Sequence, residues 1–210
     1  MSGWYAWLNM LIGLVVIVNP LLGVSAIATL AGNESAGQRH HTARMAALTV
    51  AVVMTISALA GESVLSLFGI GIPEFHVGGG ILLLLIAVSM LNARMSGARH
   101  TSEEADEAQA REQVGVVPIG IPLLAGPGAI STAIIYAHKS QGWLDTVVLV
   151  GEIWLVAGLA WLTMRASDRL MDLLGQTGLN IASRIMGLLL AAISVGFVVQ
   201  GLKILLPGLA

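Results

Sequence analysis

The chain has 210 residues, of which 56% are hydrophobic and only 10% charged, and its net charge is −2; mean hydropathy is +0.87. That balance excludes a soluble globular domain, and ten sparse basic residues give no electrostatic footprint for nucleic acid. The absence of cysteine excludes disulfides and thiolate-bound metals.

Six apolar segments follow one another, at 5–31, 43–68, 73–93, 114–138, 144–165 and 182–206. Crossing ~30 Å of hydrocarbon takes ~20 apolar residues in a helix. The expected fold is therefore all-α and integral to a membrane, with six transmembrane helices. The first segment opens MSGWYAWLNMLIGLVV, with neither a basic leader nor a small-residue cleavage site, and is read as a retained span. Its uncharged run, Met1 to Asn33, is too long for one upright helix, and Asn19-Pro20 interrupts it.

Gly32–Thr42 is expected to be a polar, basic loop. Its adjacent His40 and His41 lack a nearby third ligand, and no metal is expected. Glu62 and Glu74 belong near the ends of the second and third helices, where solvation or helix-end contacts account for them. Glu74 follows Pro73 in a first turn, where a carboxylate meets the positive end of the helix dipole. Gly78, Gly79 and Gly80 permit close helix packing, with a hinge as the alternative.

Residues 94–113, ARMSGARHTSEEADEAQAREQ in context, form the only substantial hydrophilic stretch and carry five acids. They divide the chain into a first three-span repeat, 1–93, and a second, 114–210. Because three is odd, the second half enters the membrane from the opposite side, which makes the repeats inverted.

The fourth segment contains Pro118–Thr132, PIGIPLLAGPGAIST, in which Pro118, Pro122 and Pro127 forbid a regular helix. An unpaired backbone group in hydrocarbon costs several kcal/mol, so such a break persists only when buried in protein or lining a cavity. It has an echo in the first segment: Pro20-Leu21-Leu22-Gly23 resembles Pro122-Leu123-Leu124 with Gly126, and Ser25-Ala26-Ile27 resembles the run before Ser131-Thr132. Two interrupted segments in matching places point to a transporter built from repeats, with spans 1 and 4 discontinuous. The third spans also match weakly, placing His76 opposite Arg184.

Of the ten Lys and Arg residues, eight arginines fall on the side of loops 1–2, 3–4 and 5–6, and only Lys139 and Lys203 fall on the other. The positive-inside rule places those loops in the cytoplasm and both termini outside. Trp4, Tyr5, Trp7 and Trp143 then belong at the outer interface.

Asn19-Pro20 with Gly23, Gly61-Glu62, the glycine run before ILLLLIA, VVPIGIPLLAGPGAIST at 116–132 and GLNIASRIMGLLLA at 178–191 together resemble the MarC family of inner-membrane proteins, also called the neutral amino acid transporter family. The resemblance extends over essentially the whole chain. It implies a bacterial cytoplasmic-membrane protein of six spans, and movement of small neutral amino acids such as glycine and alanine. His76 departs from the arginine that the resemblance leads one to expect there.

A zwitterion needs donors for its carboxylate and acceptors for its ammonium, both of which a broken helix supplies. The expected substrate-binding residues are Asn19, Pro20, Gly23, Ser25, Pro122, Gly126, Pro127, Gly128, Ser131 and Thr132. Glu152, within span five, is either hydrogen-bonded inside the bundle or hydrated near its end, with proton coupling as the functional alternative. Arg184 is either a gate or a headgroup anchor. No cofactor is expected beyond a coupling ion, proton or sodium. The sequence holds no nucleophile–base arrangement or phosphate loop, so an enzyme is not expected. The expected activity is alternating-access transport, with outward flow, of small neutral amino acids across the bilayer. Efflux of larger amphipathic compounds and a non-transporting scaffold are the alternatives.

Overall fold

The computed structural model describes residues 3–32, 34–92, 115–140 and 142–209. Among them every element is helical: α1 (Gly3–Val18), α2 (Pro20–Leu30), α3 (Ala36–Leu67), α4 (Ile72–Leu91), an irregular α5 (Gly115–Leu124), α6 (Pro127–Lys139), α7 (Trp143–Arg165), α8 (Ser167–Leu205) and a final turn, Pro207–Leu209. The hydrophilic connector expected at 94–113 lies outside the described residues.

Among the described residues five helical stretches are long and apolar enough to cross a bilayer, namely Trp4–Leu30, Ala36–Leu67, Ile72–Leu91, Trp143–Arg165 and Ser167–Leu205. The segment expected at 114–138 forms two shorter pieces instead, α5 with 10 residues and α6 with 13.

Two boundaries differ from the hydropathy reading. The expected loop Gly32–Thr42 is helical from Ala36, because Ser35 and Gln38 form a capping box: the Gln38 N–H donates to Ser35 Oγ (3.4 Å) and the Ser35 N–H to Gln38 Oε1 (3.0 Å). The sixth segment, expected from 182, extends back to Ser167 and bends at Gly175, whose φ of 61° and ψ of 177° suit only glycine. Helix therefore continues on both sides of Gly175 through the polar stretch that hydropathy reads as a loop.

The two broken spans are the most enclosed. Leu14, Val18, Leu22, Val24 and Ile27 of α1–α2 are buried, as are Ala129, Thr132, Ala133 and Ile135 of α6. The helices α3, α4, α7 and α8 turn apolar side chains such as Ile56, Leu85, Leu155 and Leu188 outward. The first break is thus enclosed by the other helices, as its missing hydrogen bonds require, whereas the irregular α5 keeps Val117 exposed. The packing is reciprocal: α7 covers α1 and α2 while α3 covers α5 and α6, and α8 contacts α2 while α4 contacts α6.

The most extensive interface joins α4 to α8. Glycines set its spacing. A Cβ on Gly80 would lie 2.9 Å from Ser194 O and from Val198 N; one on Gly187 would lie 2.9 Å from Met90 Cβ; one on Gly201 would lie 2.6 Å from Pro73 O. Between membrane helices such close backbone approach supplies the dispersion energy that solvent exclusion cannot. Of the expected glycine run, Gly80 therefore packs on α8 and Gly79 on Ser131, whereas Gly78 faces open space.

Polar contacts fix the two ends of the bundle. At one end Arg39 donates to Asp168 (2.8 Å), tying the start of α3 to the start of α8. At the other, Trp7 donates to Asp145 (3.3 Å), His138 meets Glu62 (3.1 Å) and Lys139 donates to Gln200 (2.7 Å). Trp4, Tyr5 and Trp143 are exposed at that same end.

Candidate functional site at the helix breaks

The first break turns on one residue. Asn19 is the only non-glycine residue with positive φ among the described residues (φ 49°, ψ 75°). Asparagine tolerates this left-handed region better than most residues, because its short side chain finds local hydrogen bonds. The Asn19 N–H closes α1 on Val15 O (2.9 Å), Pro20 opens α2 without an N–H, and the Leu22 N–H returns to Asn19 O (2.9 Å). The side chain, however, does not cap α2. It is 1% exposed, and neither its amide nitrogen nor its oxygen has a partner among the described residues. An unpaired buried polar group costs ~1–3 kcal/mol, and the left-handed backbone adds a cost of similar order. Folding alone gives no reason to retain both.

The second break has a different origin. Val117 (φ −128°, ψ 126°) and Ile121 (φ −128°, ψ 130°) are extended inside α5, and each precedes a proline, Pro118 and Pro122. The proline ring excludes the helical region for the residue before it. The chain recovers through a wide turn, with the Ala125 N–H on Gly120 O (2.8 Å). Gly126 is extended, and Pro127 then starts α6, where the Ile130 N–H reaches Gly126 O (3.1 Å). As at any helix start, the first N–H groups of α6 have no intrahelical acceptor, and Pro127 at the first position contributes none.

A cavity of about 280 Å³ lies against that turn. Gly126, Pro127, Gly128 and Ala129 form one wall, Ile17 enters from just before the first break, and Leu83 and Ile86 of α4 with Leu123 supply an aliphatic remainder. The two breaks also touch directly, since a Cβ on Gly23 would stand 3.6 Å from Leu124 Cδ1.

Of the expected site residues, Gly126, Pro127 and Gly128 line this cavity. Asn19, Pro20, Gly23 and Ser25 are buried at the first break but do not line the cavity, and Gly23 abuts Met164 of α7. Pro122 shapes the backbone of α5. Ser131 and Thr132 are buried but do not line the cavity: Ser131 packs on Gly79, and the Thr132 hydroxyl donates to Gly128 O within its own helix (2.9 Å). Glu152 is half-buried on α7, with Oε2 unpartnered among the described residues. Arg184 is exposed and touches neither the cavity nor the breaks, whereas His76, its weak sequence match, is buried against Phe197. The two positions are thus unlike in surroundings. Sequence reading missed the α4 wall, because ILLLLI carries no periodicity. It also missed Thr163, whose hydroxyl donates to Ala160 O (2.9 Å) and approaches Pro20 O (3.3 Å).

A family model described as MarC family integral membrane protein matches residues 4–206. Membrane protein YhcE of Escherichia coli (strain K12) is 38% identical over 94% of the chain and 92% of its own length. A membrane protein of Aquifex aeolicus (strain VF5) is 35% identical over 93% and 91%, and inner membrane protein MarC of Escherichia coli O1:K1 / APEC is 33% identical over 91% and 92%. No solved structure matches the chain.

Proposed function

Because the chain belongs to the MarC family of integral membrane proteins, we propose that it is a secondary transporter moving small neutral amino acids, such as glycine and alanine, by alternating access about its two helix breaks. The observation that carries this reading is Asn19, a buried amide with both polar atoms unpartnered at a strained break. A substrate that satisfies it recovers the hydrogen bonds folding left unmade. The free N–H groups of the α6 first turn suit a carboxylate, and the Asn19 amide oxygen suits an ammonium. No charged side chain lines the cavity, which fits a net-neutral ligand. Its volume, about 280 Å³, is just below the ~300–1,000 Å³ usual for drug-sized ligands.

Residues 1–93 and 114–210 act as two inverted three-span repeats joined by 94–113, a reading supported by the reciprocal packing of α7 on α1–α2 and α3 on α5–α6. The arginine-rich end faces the cytoplasm of a bacterial cell and both termini face the periplasm. Net flow is outward. Rocking of one repeat against the other exposes the breaks alternately, driven by a proton or sodium gradient, with Glu152 as the titratable residue nearest to a coupling role and Arg184 as a headgroup anchor. No covalent step is involved.

One observation favours a second reading. Apart from Ser89, the cavity walls contributed by α1 and α4 are aliphatic, as they would be for efflux of amphipathic compounds. Counterflow of labelled glycine and alanine into liposomes separates the two. Uptake by the parent protein, displaced by unlabelled small amino acids and lost in Gly128→Leu, is expected, because that side chain would grow toward Leu83 and Ile86 across the cavity. Well-folded parent protein with no uptake under proton or sodium gradients would overturn the amino acid reading. Binding of a hydrophobic cation by such protein would establish the efflux reading.

A further inference from the structure

A second recess, about 230 Å³, lies on the outer face of the bundle between α3 and α7, away from both helix breaks. Its floor is Ala47, Ala51, Ala157 and Gly158, its rims are Leu48, Trp154 and Trp161, and Arg44 closes one end. The spacings are helical. Arg44, Leu48 and Ala51 share one face of α3, and Trp154, Gly158 and Trp161 share one face of α7. Each set spans seven residues, so the recess runs about 10 Å along the helices. Trp154 is 48% exposed and Leu48 38%, on the surface that the membrane would otherwise cover.

Charge distinguishes this recess from an ordinary gap between helices. The Arg165 guanidinium stacks over the Trp161 ring at 5.3 Å from its centroid, so a second arginine stands at the Arg44 end. Arg39, on the same end of the bundle, is neutralised by Asp168 at 2.8 Å. Neither Arg44 nor Arg165 has an ion-pair partner among the described residues. Two guanidiniums without ion-pair partners among the described residues, Arg44 in the recess and Arg165 stacked on its Trp161, at the end of an apolar trough, suit an anion joined to a hydrocarbon tail. We propose that this recess is a binding site for one phospholipid with a net anionic headgroup, its phosphate held between Arg44 and Arg165 and an acyl chain laid over the alanine–glycine floor between Trp154 and Trp161. A zwitterionic lipid fills the trough equally well but brings its own cation to the arginines.

The test reads the two tryptophans directly. A Trp4→Phe/Trp7→Phe/Trp143→Phe variant, checked for monodispersity in detergent, leaves Trp154 and Trp161 as the only indoles. It is reconstituted into phosphatidylcholine vesicles carrying equal fractions of acyl-brominated phosphatidylglycerol or acyl-brominated phosphatidylcholine, and fluorescence quenching is compared. A juxtamembrane arginine attracts an anionic lipid by about fivefold, so with two arginines the brominated phosphatidylglycerol is expected to quench at about 25-fold lower mole fraction. Arg44→Ala and Arg165→Ala should each remove about fivefold of that preference. Arg169→Ala, an exposed arginine at the same end but outside the recess, should leave it unchanged. Equal quenching by both lipids would overturn the proposal, as would an equal loss in Arg169→Ala, which would mark a diffuse surface potential. So would abolition of the preference by millimolar inorganic phosphate, which would mark a site for free anions.

Discussion

The α4–α8 seam and the paired helix breaks are built from similar residues to opposite ends. Gly80, Gly187 and Gly201 are each filled to contact by the opposing helix, at distances where a single Cβ would overlap backbone or Cβ atoms. At the breaks the glycines are also closely approached, but by side chains: a Cβ on Gly128 would meet Leu83 Cδ2 (2.5 Å) and one on Gly23 Met164 Cγ (2.8 Å). One region spends its small residues on cohesion alone; in the other, Gly126 to Ala129 also border a cavity, and Asn19 is left without a side-chain partner among the described residues. The contrast teaches that glycine in a membrane helix is informative only with its surroundings, because the same residue permits both the closest packing and an interruption.

The sharpest way to break the comparison is at Gly80. Its Cβ would press on Ser194 O and Val198 N at 2.9 Å each, backbone atoms that cannot turn aside. Gly80→Val is expected to lose more than ~1–3 kcal/mol, the usual cost of overpacking, and to appear as loss of monodisperse protein or a large fall in thermal midpoint in detergent. Gly78→Ala, two residues away with nothing within 4 Å, should purify like the parent. If Gly80→Val were as stable as Gly78→Ala, the seam would not be the cohesive element.

The breaks call for substitutions that separate backbone from side chain. Asn19→Gly keeps access to the left-handed conformation and removes the orphaned amide; Asn19→Ala removes the amide and opposes the backbone. The alanine variant should be the less stable by about 1–2 kcal/mol, the penalty for a Cβ in this region. Under the proposed transport role, both should bind substrate about tenfold or more weakly, since a hydrogen bond to a charged group is lost. A glycine variant with parental stability and parental flux would leave Asn19 a purely conformational residue.

The positions of both breaks were legible because proline acts through covalent geometry: Pro20, Pro122 and Pro127 interrupt a helix whatever surrounds them. The capping box at Ser35 and Gln38 was equally local and was passed over in favour of hydropathy, which ended the helix where polarity began. Gly175 was silent, since a glycine in a polar stretch reads the same whether it bends a helix or ends one. The strain at Asn19 and the α4 wall of the cavity lay beyond sequence. The first is set by how two half-helices meet, and the second by which face of a uniformly aliphatic helix turns inward.

The smallest effect belongs to the ion pair that joins the arginine-bearing ends of α3 and α8. Arg39 and Asp168 approach to 2.8 Å, but their side chains are 24% and 69% exposed, so water screens the attraction and chain entropy opposes it. Such pairs contribute about 0–1 kcal/mol. Arg39→Ala and Asp168→Ala should each lower the thermal midpoint only slightly, and the double variant should match either single one, because removing the second partner removes nothing further. Raising salt should draw parent and variants together. A coupling well above that range would mean that the end of the bundle holding Arg39 contributes cohesion comparable to the glycine seam, and the division between a cohesive α4–α8 pair and loosely tied helix ends would fail.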